Sequence, residues 1–190
     1  SEKSHQRFSP DLFEFLKDLS QNNQRNWFKA NEGRYQEEVL KPAFAFIRTM
    51  RPRIHAISPH FVAEARKVRS SLMRVHRDVR FSKDKRPYKT NVGIRFPHES
   101  SGDISAPGFY VHLSPEEVRG MASRSTFAGK DPREIDLDPK GWLKAQDNKQ
   151  FQELFQLAGE SLKTALKGYP SGHPLIEDLR RKYFIAAQEF

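Results

Sequence analysis

Apolar residues recur at two different periods in this chain, and the switch between them falls near Met73. Upstream, Leu12, Phe13, Phe15, Leu16 and Leu19, then Trp27, Phe28, Tyr35, Val39, Leu40, Phe44, Ile47, Met50 and Ile54, are spaced for helices with one apolar side. From Met73 the apolar positions alternate instead: Met73, Val75, Val79 and Phe81 share one face of a predicted strand, and Arg74, His76, Asp78 and Arg80 the other. Two more alternating runs follow, Val92, Ile94 and Phe96, then Phe109, Val111 and Leu113, and Val118 to Met121 predicts a further short strand. A chain with both periods in separate blocks is α+β: N-terminal helices, a central mainly antiparallel sheet over residues 70–121, and C-terminal helices covering the sheet's apolar face.

Local chemistry punctuates these blocks. Ser9-Pro10-Asp11 supplies an N-cap, an N1 proline and a first-turn acid, and Asn22-Asn23 breaks the first helix and offers a cap for the second. Pro42 is expected to kink or restart that helix near Lys41. Gly102, Pro107 and Gly108 mark a hairpin connection, and residues 122–137 form a polar, irregular loop. Asp138-Pro139 opens the C-terminal part. There Phe151, Leu154, Phe155, Ala158, Leu162, Ala165 and Leu166 predict one long helix ending at Gly168-Tyr169-Pro170. Trp27, Phe28 and this last stripe are assigned to packing. His173-Pro174 starts a short helix through Leu175, Ile176 and Leu179.

At 190 residues the chain is expected to be a single domain. It has no cysteine, which excludes disulfides, thiolate nucleophiles and cysteine-held metals. No apolar stretch approaches a membrane span and the N-terminal residues do not resemble a signal peptide, so a cytoplasmic protein without membrane contact is expected. No cofactor or metal is expected.

The net charge is +9, and it is concentrated. Between Arg66 and Lys89 ten basic residues stand against Asp78 and Asp84, which leaves this window at +8 and the rest of the chain near neutral. The run from Arg77 to Asn91 (RDVRFSKDKRPYKTN), with Phe15-Leu16 to Asn22-Asn23, Trp27-Phe28 and Gly108-Phe109-Tyr110, resembles the signature of the domain of unknown function 2461 family over roughly residues 8–185. The resemblance implies an α+β fold and carries no activity, cofactor or catalytic residue. The chain departs from the family's glycine-rich strand end in having Gly120-Met121-Ala122-Ser123-Arg124 and then Gly129-Lys130-Asp131-Pro132.

Three functions suit this window. The first is an anion-binding module for phosphate-bearing ligands, nucleic acid among them, using Arg74, Arg80, Lys83, Lys85, Arg86 and Lys89 with Tyr88 as a stacking platform. The second is an enzyme acting on a phosphorylated or carboxylated small molecule, with His76 as general acid/base, Asp78 orienting it and His112 joining them if the strands align. It requires a concave pocket at His76, Asp78 and Arg80. The third is a surface for an acidic protein partner. Ordinary salt bridging on a solvated sheet face is the competing explanation for Arg74, His76, Asp78 and Arg80, and an ordered loop folded around Pro87 and Tyr88 with solvated lysines is the one for Ser82 to Lys89. Arg77 has inward parity, and a buried guanidinium must be paired, so a structural Arg–carboxylate pair is expected there. His76-Arg77-Asp78 has the first letters of the kinase catalytic loop, but Lys83 stands where that motif needs Asn and no glycine-rich phosphate loop precedes it.

Overall fold

A computed structural model of the chain describes residues 8–66, 71–99, 108–125, 138–165, 168–181 and 183–189. Helix α1 (Pro10–Gln21) starts as its sequence dictates, with the Ser9 hydroxyl accepting from the Asp11 N–H at 3.3 Å. Its stripe of Leu12, Phe15, Leu16 and Leu19 is 0–1% exposed, each side chain worth roughly 2 kcal/mol of transfer free energy. Helix α2 (Arg25–Ala30) and the short α3 (Glu32–Arg34) follow. A π-helical segment, Tyr35–Leu40, then leads directly into α4 (Lys41–Ile57). The widened turn is how the chain accommodates Pro42: proline has no N–H to donate and its ring crowds the preceding turn, and the π segment removes both conflicts without ending the helix.

The sheet has five strands in the order β1-β2-β3-β5-β4 and is antiparallel. Strand β1 (Val92–Pro97) buries Val92, Ile94 and Phe96 and exposes Arg95, as the alternation predicts. Strand β2 (Gly108–Leu113) follows, and β3 (Val118–Ser125) extends four residues beyond the predicted Met121 into the stretch expected to be a loop. The expected turn around Gly102 and Pro107 lies outside the described residues, as do residues 126–137 of the stretch expected to be a loop.

The C-terminal part corrects the long-helix expectation. Helix α5 (Pro139–Gln146) is capped by Asp138, whose carboxylate accepts from the Gly141 N–H at 2.9 Å. Helix α6 stops after Lys149–Leu154, and Gln156–Ala158 becomes strand β4, paired with β5 (Tyr183–Glu189) in the register Leu157 opposite Ala186. Gly159 adopts a φ of +129°, open to glycine and closed to a continuing right-handed helix. An apolar stripe does not distinguish a helix from a short paired strand, and the partner here lies at the far end of the chain. Helix α7 (Ile176–Leu179) follows His173-Pro174 as expected, its Leu175 N–H bonded to His173 Nδ1 at 3.2 Å.

By packing, the chain gathers into two compact units. The first comprises the residues through Phe96 together with Tyr110–Arg119, and its core includes Phe15, Phe28, Ile47, Tyr88, Ile94 and Leu113. The second, Pro97–Phe109 and Gly120–Glu189, centres on Leu175 and Leu179 with Trp142 and Tyr169 against them. Asp178 fastens this core, accepting from Trp142 Nε1 at 2.8 Å and Gln146 Nε2 at 3.0 Å. Among the described residues no helix is long and apolar enough to cross a membrane.

Candidate functional site

The basic window does not form the continuous strand expected from Met73. It folds back on residues 87–95 as an irregular hairpin held by two separate bridges, Leu72 opposite Ile94 and His76 opposite Tyr88. From 72 to 76 is four steps and from 94 to 88 is six, so the two bridges differ in register by two residues. Backbone bonds place the surplus between Lys89 and Val92: the Met73 N–H donates to Gly93 O at 2.9 Å, and the Lys89 N–H to Val75 O at 2.8 Å. This bulge breaks the ladder where alternation alone predicts none. Gly93, beside it, lets the Tyr110 hydroxyl and the Met73 sulfur come within 2.8 and 2.9 Å of where a Cβ would stand.

Two depressions open at the break. The larger, about 660 Å³, has an apolar wall of Tyr35, Leu40, Phe44, Leu72, Met73 and Val75 and a polar side of Arg66, Arg74, His76, Asp78 and Lys89. The smaller, about 400 Å³, is lined by Arg77, Asn91, Gly93 and Tyr110 and shares Met73, Asp78 and Lys89 with the first. Beneath lies an aromatic cluster. Phe28 stacks on Tyr88 at 4.1 Å between centroids, Tyr35 is 5.1 Å from Phe28, and the His76 ring is 5.2 Å from Tyr88. Burial pushes the Tyr35 phenol up to about 12, so it is a neutral wall residue at physiological pH.

Asn23 links this platform to the helices. Its side-chain amide donates to Tyr88 O at 3.0 Å while its carbonyl accepts from the Tyr88 N–H at 3.0 Å. It therefore acts as a one-residue strand partner rather than the helix cap expected, and Gln24 takes the N-cap position of α2.

The predicted anion ligands divide by partnership. Arg80 is spent on Asp78, through Nη2 at 2.7 Å and Nε at 3.0 Å, and does not line the cleft. Arg86 is spent on Asp84 at 2.8 Å. Lys85 Nζ donates to Val79 O at 3.0 Å. Arg77 makes the carboxylate pair expected of it, with Asp84 at 2.6 Å, and reaches Arg86 O at 3.4 Å, although the strand whose parity was to turn it inward does not form and the pair stays partly exposed. Arg86 first and then Arg77 hold the Asp84 carboxyl well below the usual carboxylate range, and Arg80 first does the same, less strongly, for Asp78. Lys83 is exposed on the loop. Tyr88, at 6% exposure, has its ring buried against Phe28 and offers no platform to a base. Phe81, expected on the apolar face of a strand, is 96% exposed instead with the Arg80 guanidinium 5.9 Å from its ring centre.

That leaves Arg74 and Lys89. Neither side chain has an ion-pair or hydrogen-bond partner among the described residues, and both line the larger cleft. Burial first, and the charge of Arg74 second, hold the Lys89 amine below the usual lysine range.

His76 and Asp78 do share this cleft, but His112 does not join them. It lies in a separate polar chain, 3.4 Å from Asn91 Nδ2, 3.4 Å from the Tyr110 hydroxyl and 3.7 Å from Glu117, which Arg119 engages at 2.7 Å. Among the described residues no group of three or more metal-ligating side chains converges. Sequence reasoning missed Asn91, Tyr35 and Phe44 as neighbours of the site, because only the bulge and the π segment bring them there. No curated protein and no solved structure matches the chain. A family model does match it over residues 11–190, nearly the whole length, and on that match the chain belongs to the family described as conserved hypothetical protein (DUF2461).

Proposed function

We propose that the larger cleft binds a small amphipathic anion, a carboxylate or phosphate ester with an apolar tail. The observation that carries this reading is the pair Arg74 and Lys89: two cations in one cleft, neither hydrogen-bonded nor ion-paired through its side chain among the described residues, facing an apolar wall, while Asp78 on the same polar side is bound to Arg80 and only sensed at a distance by Arg74. A guanidinium offers forked donors that match carboxylate or phosphate oxygens, and a cleft walled by apolar side chains strengthens the attraction relative to water. The tail lies along Leu40, Phe44, Leu72 and Met73, which gives the ligand its second requirement. A polyanion is the weaker candidate, because Arg77 and Arg86 share Asp84, Arg80 is held by Asp78, and Tyr88 is buried.

Calorimetric titration with phenyl phosphate, 4-phenylbutyrate and inorganic phosphate tests the reading. The two amphipathic anions are expected to bind at least about tenfold more tightly than inorganic phosphate, and Arg74→Ala to weaken them by about 2 kcal/mol. Equal affinity for all three, or no effect of Arg74→Ala, refutes it.

A further inference from the structure

We propose that the Lys89 amine condenses with the carbonyl group of a 2-oxo carboxylate whose carboxylate is held by Arg74 and whose apolar tail lies on Phe44, Leu72 and Met73. This rests on the anion-cleft reading and assigns the two cations different tasks. Arg74 keeps its charge at any physiological pH and is the permanent anchor. Lys89 is an amine that can lose its proton, and it differs from its neighbours Lys83 and Lys85 in three ways.

It lines both depressions at the break in the hairpin, whereas Lys85 is turned back onto Val79 O and Lys83 stands on the loop surface. Its backbone is fixed, since its N–H is bonded to Val75 O and Tyr88 before it is buried and clasped by Asn23. Its side chain makes no hydrogen bond or ion pair among the described residues that would hold it as an ammonium, Asp78 in the same cleft being bound to Arg80, and burial and the Arg74 charge both favour the neutral amine. Partial desolvation beside a second cation is the environment that makes a lysine nucleophilic near neutral pH.

The condensation balances without any oxidant or reductant. The Nζ lone pair forms a bond to the carbonyl carbon as the C=O π electrons move to oxygen, which takes a proton. Nitrogen then loses a proton, the hydroxyl accepts one and leaves as water while the nitrogen lone pair forms the C=N bond, and a protonated imine remains, which loses the second proton to give the imine. His76 lines the same cleft as the proton carrier. Asp78, kept ionised chiefly by its bonds to Arg80, is a fixed anion there.

The test is reductive trapping of the intact chain with 4-phenyl-2-oxobutanoate and sodium borohydride, followed by peptide mass spectrometry. The expected result is one dominant secondary-amine adduct at Lys89, at least about tenfold above any other lysine, suppressed by excess phenyl phosphate and absent in Lys89→Arg. Arg74→Ala, with an unchanged circular dichroism spectrum, is expected to lower labelling about tenfold by removing the anchor. Labelling spread over surface lysines, or undiminished in Lys89→Arg while phenyl phosphate still binds, overturns the imine and leaves the anion cleft standing. Loss of phenyl phosphate and 4-phenylbutyrate binding in the parent chain overturns both.

Discussion

Asn23 and Tyr88 are 65 positions apart, yet the two bonds between them do the work of a strand neighbour at a place where the ladder has none. Removing the amide leaves a donor and an acceptor of a mostly buried residue without partners, which costs more than the net value of two hydrogen bonds. Asn23→Ala is expected to lower stability by roughly 2–4 kcal/mol in urea unfolding, and Asn23→Asp, which keeps only the acceptor, by about half as much. At this scale the sequence was legible where the cause is local. Ser9 caps, and Leu12 and Leu16 are buried, as spacing requires; Arg77 finds a carboxylate, but not through the strand parity that suggested it. Tyr88 was misjudged, because its composition-rich neighbourhood of lysines says nothing about Phe28, which arrives from another helix.

Among the elements, the loop from Asp78 to Arg86 is the most heavily fastened. Asp84 accepts from Arg77 and Arg86, and Asp78 from Arg80. Both carboxyls titrate lower in the folded chain than in the unfolded one, so their contribution is present above the ordinary aspartate value of about 4 and is lost as pH falls below it. Amide chemical shifts of Ser82 to Arg86 are expected to be constant from pH 7 to about 4 and to move only at lower pH, whereas Asp84→Asn moves them at every pH. Strand β1 was predicted from its own alternation. Strands β4 and β5 were not, since a three-residue strand becomes one only when its partner is beside it, and no local pattern at Gln156–Ala158 announces Ala186.

For the whole molecule, the concentration of charge in one window suggested a surface for polyanions, but three of its arginines are held by Asp78 and Asp84, and Tyr88, the expected stacking platform, is buried. Affinity for single-stranded oligonucleotides is accordingly expected to be weak, with a shallow dependence on salt, a log–log slope nearer −2 than the roughly −6 that eight phosphate contacts would give. Anisotropy titrations at two salt concentrations decide this, and a steep slope would restore the polyanion reading. Fold class was legible because both hydrophobic periods are long and separate. The site was legible only as a neighbourhood, its cations named but not sorted, because sorting depends on which carboxylate each guanidinium finds in space.

The two surplus residues between Lys89 and Val92 have a bearing on how such a cleft is gained and lost. A hairpin keeping a single register through this stretch would be shorter by two residues and continuously bonded, without the break beside which Lys89 lies. On the proposed reading, ligand preference is thereby tied to a small change of length rather than to an exchange of side chains. Descendants of one ancestor that agree in every helix and every buried residue would part company in chemistry through one short in-frame insertion.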